Sequence, residues 1–238
     1  MGAYPARMEP TLLDDPRAAS LSPSARRLLR RPRPRLRGVL HRWAALLSLP
    51  AGVWLAVGAD GSRAVWALVI FSVGSSAMLG VSAVTHARDW SIDRVELLVR
   101  LDHSAIFLTF ATSSTPVALL GLDAPGSGWL LGFAWAGAVV GIGAEWTPIH
   151  PPAGVMNTIF LVFGASMMAF TPWLVSALSP VDLLLLFGGG AAYAIGAVVV
   201  GARRPDPWTD VFGYHEIWHV FVVVAAASHY LLAARLAW

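Results

Sequence analysis

Two histidines four residues apart, His215 and His219, stand near the start of the last apolar run of the chain. On a helix, residues i and i+4 project from one face. Such a pair can grip a divalent metal, and neutral imidazole suits zinc. Ser82 and His86 repeat the interval at the end of the second apolar run, and Asp102 stands at the start of the third. Ionisable groups at the ends of membrane helices are costly and are functional candidates by default. Three imidazoles from two helices leave a tetrahedral position open for water, the pattern of a catalytic zinc site. Zinc would lower the pKa of that water towards neutrality. Asp102 could accept its proton, and Ser82 could hydrogen-bond the water or a substrate carbonyl.

Each residue also has a plainer reading. A single histidine at a helix end is usually interfacial or hydrogen-bonded. Asp102 could cap its helix, since carboxylates are favoured at helix N-termini, and Ser82 could be a helix-packing residue. Their gathering at one membrane level favours a shared site. His215-Glu216-Ile217-Trp218-His219 also fits H-E-x-x-H, in which Glu216 would be the general base of a metalloprotease. The extended form of that motif fails, because Val222 and Ala225 occupy its Gly and His positions. That reading leaves His86 without a role. His103 points about 100° away from Asp102 round a helix and reads as structural or interfacial. His41 fits the headgroup level, His229 a bundle interior, and Glu145 and His150 the surface. Cysteine is absent, which excludes disulfides and thiolate metal sites.

The elements that must position these residues are written in the hydropathy. Of 238 residues, 56% are hydrophobic and only 13% charged, too few charges to cover a soluble domain. Mean hydropathy is +0.63. Apolar runs long enough to span lipid lie near 39–58, 64–86, 101–121, 128–146, 153–175, 180–202 and 212–236. Short connections with turn formers, such as Asp60-Gly61-Ser62 and Arg204-Pro205-Asp206-Pro207, favour up-and-down neighbours. The expectation is an all-α, seven-transmembrane-helix bundle over 37–238, preceded by a basic, Pro-rich and disordered tail, 1–36. The first apolar run starts near 39, so no cleavable signal peptide is evident.

All 17 basic residues are Arg, and ten of them fall within residues 1–42. A basic arm can bind nucleic acid, but positive charge just before a first span more simply holds that end in the cytoplasm and touches anionic lipid. No nucleic-acid partner is therefore expected; membrane lipids are. An inside N-terminus puts fifteen Arg in the cytoplasm and only Arg63 and Arg235 outside. The C-terminus is then outside, and His86, Asp102, His215 and His219 share the cytoplasmic end. Trp43, Trp66, Trp90, Trp129, Trp146, Trp208 and Trp238 read as interfacial anchors.

From about Arg35 to the C-terminus the chain resembles the hemolysin III branch of the progestin and adipoQ receptor (PAQR) family. The resemblance is carried by Arg37-Gly38-Val39-Leu40-His41, by Ser82-x-x-x-His86, by Leu101-Asp102-His103-Ser104-Ala105-Ile106 and by Phe212-Gly213-Tyr214-His215-Glu216-Ile217-Trp218-His219. It implies seven helices, an inside N-terminus and a zinc held by His86, His215 and His219. It also implies Asp102 beside the metal-bound water, Ser82 nearby, and a bacterial cytoplasmic (inner) membrane. Receptor members look like ceramidase-type lipid amidases, and bacterial members are linked to membrane lipid homeostasis. The function so implied is a zinc-dependent hydrolase of lipid amides or esters. The alternatives are a non-enzymatic membrane protein with a structural zinc, receptor-like or cytolytic, and an H-E-x-x-H protease. Thr112-Ser113-Ser114 departs from the family's more usual Gly-Thr-Tyr, and Thr85 stands where Tyr is common.

Overall fold

The structure is a computed structural model, which describes residues 15–30, 33–152 and 154–238. Among the described residues, seven helical spans are long and apolar enough to cross a membrane. A short helix, α1 (Pro23–Arg30), precedes them. The first three spans are α2 (Val39–Val57), α3 (Ser62–Thr85) and α4 (Ile92–Pro116), the last running on through a π-turn at Val117–Gly121. α5 (Gly126–Glu145) is the fourth span. The fifth is broken into α6 (Val155–Ala165), a 3₁₀ turn and α7 (Thr171–Ala177). α8 (Pro180–Ala202) and α9 (Tyr214–Ala237) complete the set. No strand occurs among the described residues.

Consecutive helices pack side by side from α2 to α5 and again at α8–α9, and α9 returns to α2. The ring so closed puts the start of α2, the end of α3 and the start of α9 at one end of the bundle. At the other end, Trp54 of α2 meets Trp238 edge-on, with ring centroids 4.2 Å apart. Between the ends, Met78, Leu79, Ala105 and Val222 form an apolar layer from α3, α4 and α9. Small residues permit this closeness. At Gly74 a Cβ would collide with the Thr112 side chain of α4.

The third span departs from the hydropathy reading. Its helix begins at Ile92, with Ser91 as N-cap, not near 101. The added turns are amphipathic: Ile92, Val95 and Val99 are buried, while Asp93, Arg94, Glu96 and Arg100 interrupt the apolar run. The buried stripe packs on Ala18, Leu21 and Ala25. Much of the segment expected to be disordered is thus an ordered turn and helix on α4, held also by Ser22 N–H donating to Glu96 Oε2 at 2.9 Å and by Arg17 on Asp93 at 2.7 Å. Leu21, Ala25, Leu28 and Leu29 supply the apolar face that the Pro and Arg content masks. Residues 1–14 lie outside the described residues.

Pro116, inside the third span, has no N–H for the helical ladder. The hydroxyls before it back-bond instead: Ser114 to the Phe110 carbonyl at 2.8 Å and Thr115 to that of Ala111 at 2.9 Å. Ser/Thr side chains are among the means by which membrane helices tolerate proline.

Candidate metal centre

His86 follows the last residue of α3 as its C-cap, its N–H donating to the Ser82 carbonyl at 3.0 Å. His215 and His219 occupy the first two turns of α9. One nitrogen from each of the three lies within 4.8 Å of the others, and His86 Nε2 is 3.3 Å from His215 Nε2. Two nitrogens bound tetrahedrally at 2.0–2.1 Å from zinc would be about 3.3 Å apart, so this pair already has the required separation. His86 and His219 are buried, and His219 Nε2 has no hydrogen-bond partner among the described residues. A buried polar atom left unsatisfied costs about 1–3 kcal/mol, which a bound metal would offset. Soft-to-borderline nitrogen donors without thiolates fit zinc.

Asp102 Oδ2 is 3.8 Å from His86 Nε2. Asp102 sits about three turns inside α4, so it does not open the third helix or cap it; Ser91 does. The convergence with the histidines holds because the early turns of α4 project beyond the end of α3. Ser82, buried one turn before His86, faces the Asp102 carboxylate. All five residues singled out by type and spacing are therefore brought together.

Glu216 is not free for proton transfer. Its Oε2 accepts from the Gly213 N–H at 2.8 Å, capping α9, and its Oε1 is ion-paired with Arg37. The H-E-x-x-H fit thus joins two candidate ligands to a carboxylate already committed to Gly213 and Arg37.

His41 was expected at the headgroups but is buried, its ring stacked on His219 with centroids 3.8 Å apart and 12° between planes. Arg37 stands two residues before α2 and His41 in its first turn; no local signal in the sequence shows that both meet α9. Glu145 and His150 are not mere surface groups: Glu145 is 3.0 Å from His103 Nδ1, and His150 is 3.7 Å from Glu96. His103 is a structural partner, as its angle from Asp102 suggested. His229 lies between α8 and α9, with its Nε2 3.4 Å from the Leu186 carbonyl. An apolar cleft of about 220 Å³ lies between α2 and α9, lined by Leu36, Val39, Trp43, Phe212 and Val220 and touching His219.

Compared with known proteins, residues 29–230 match the family described as Haemolysin-III related. The chain belongs to that family. It is 28% identical over 197 residues to "Hemolysin-3 homolog" of Bacillus subtilis (strain 168), covering 80% of this chain and 87% of that protein. With "Hemolysin-3" of Bacillus cereus it shares 30% over 192 residues, 79% of this chain and 84% of the other. With "Heptahelical transmembrane protein ADIPOR2" of Oryza sativa subsp. japonica it shares 29% over 186 residues, 70% and 80% of the two. The match to both bacterial hemolysins and a plant heptahelical protein fits the hemolysin III branch of the PAQR family. Seven apolar helices and the bacterial relatives make this member of the family an integral protein of the bacterial inner membrane.

Proposed function

We propose that this haemolysin-III-related protein is a zinc-dependent hydrolase of lipid amides or esters at the cytoplasmic leaflet. The observation that carries the proposal is the convergence of three imidazoles with a carboxylate, 3.8 Å from His86, at one end of a helical bundle. His86, His215 and His219 would hold the ion through one nitrogen each. Bound zinc supplies Lewis acidity and lowers the pKa of water. Asp102 takes a proton from the attacking water on its carboxylate and returns it to the departing amine or alcohol as the acyl C–N or C–O bond breaks. Ser82 orients that carboxylate. The apolar cleft beside His219 suits an acyl chain. The cytoplasmic assignment rests on the fifteen-to-two Arg asymmetry.

One observation also supports a second reading. At 3.8 Å from His86, Asp102 is close enough to serve as a fourth ligand after a small shift, which would close the site as structural zinc sites are closed. Asp102→Asn separates the two. In a hydrolase the variant keeps its zinc, while turnover of a long-chain lipid amide that the parent cleaves falls by roughly two to four orders of magnitude. In a structural site it loses zinc and thermal stability together. A zinc-loaded and fully active variant would end the proton-transfer role.

A further inference from the structure

The histidine rings at the site do not meet alike. His86, His215 and His219 approach one another at 58–69° between planes, with centroids 4.6–5.1 Å apart. His41 instead lies nearly parallel to His219, at 3.8 Å and 12°. It is 2% exposed, and neither of its ring nitrogens has a hydrogen-bond partner among the described residues. A histidine buried without polar partners could be replaced by an apolar residue at a gain in stability unless the ring itself has a use. One turn earlier, Arg37 is ion-paired with Glu216, three residues before His219. Between them Gly38 adopts φ +72°, and a Cβ there would stand 3.0 Å from both the Cβ and the carbonyl oxygen of His86. The stretch 37–41 therefore touches the backbone of His86, the ring of His219 and the carboxylate of Glu216, which lies between His215 and His219.

We infer that His41 is a positioning residue of the metal centre. Its flat face fixes the ring plane of His219, so that the ligand nitrogen is aimed before the ion arrives. α2, which supplies no ligand, then becomes part of the site. This rests on the zinc reading of His86, His215 and His219. A stacked neighbour restricts rotation about the broad terminal torsion of a histidine side chain, which no staggered well confines. Ligands held by their surroundings bind metal more tightly than free ones, and loss of such supports typically costs 10–100-fold in affinity.

The test compares His41→Phe, which keeps a flat face, with His41→Leu, which keeps bulk without one. Zinc affinity is measured by chelator competition on purified full-length protein, and Co²⁺ absorption bands report ligand geometry. His41→Phe should stay within about threefold of the parent with the parent's cobalt spectrum. His41→Leu should bind zinc at least about tenfold more weakly, with altered cobalt bands, while the metal-free forms of the two unfold at the same temperature. If the leucine variant does not fold, His41→Met is read in its place. Equal affinity and equal spectra for the leucine and parent proteins would overturn the inference, as would equal losses in leucine and phenylalanine. His86→Ala is the control. If it binds zinc as the parent does, the zinc reading itself has failed; if it loses zinc while His41→Leu does not, only the positioning role has.

Discussion

Glu216 shows how much a residue's role depends on what surrounds it. By motif it could be a general base, yet the side chain is 3% exposed with both oxygens engaged, one by the Gly213 N–H and one by Arg37. Breaking a buried ion pair by removing one charge typically costs about 3–5 kcal/mol, because the other charge stays buried. Glu216→Gln keeps an oxygen for the Gly213 N–H but leaves the Arg37 guanidinium, itself only 11% exposed, without its counter-charge. Thermal unfolding of the variant should show a large loss of stability with zinc content unchanged. A stable variant that has lost turnover by two orders of magnitude would restore Glu216 as a base. The histidine cluster was legible because its signal is local: His215 and His219 share a helical face, and His86 stands four residues after Ser82 at the end of the second run. His41 was not. A histidine next to Arg42 at the edge of an apolar run reads as a headgroup residue, and only the closure of α2 on α9 buries it.

At the level of elements, hydropathy located all seven spans, since a run of about 20 apolar residues has few other uses. It failed where burial comes from an amphipathic stripe. Ile92, Val95 and Val99 are spaced as one helical face, but Asp93, Arg94, Glu96 and Arg100 pull the average down, so the third helix reads as starting nine residues late. The same error placed Asp102 at a helix end instead of well inside α4. Its nearness to His86 survived because both belong to the same end of the bundle. The partner of that stripe, Ala18 with Leu21 and Ala25, sits in sequence rich in Pro and Arg, where composition suggests a solvated tail. The joint between α2 and α9 is of a third kind. First and last spans carry no local record of being neighbours, so the pairing of Arg37 with Glu216 and of His41 with His219 could only come from the folded bundle.

For the whole molecule, an odd number of spans puts the two chain termini on opposite sides of the membrane, and the Arg distribution predicts an inside N-terminus. Reporter fusions after Ala3 and after Trp238 should mark the cytoplasm and the outside respectively; both on one side would contradict seven spans. Hydrolysis would depend on a metal at the end where α3, α4 and α9 meet, where His86 and His215 present nitrogens 3.3 Å apart and His219 a third within 4.8 Å of both. Metal analysis of the purified protein, alongside a His86→Ala, His215→Ala, His219→Ala triple variant shown to be folded, tests this directly. One zinc per chain in the parent and background zinc in the variant is the predicted result. A folded triple variant that keeps its zinc, or a parent that never binds any, would contradict it.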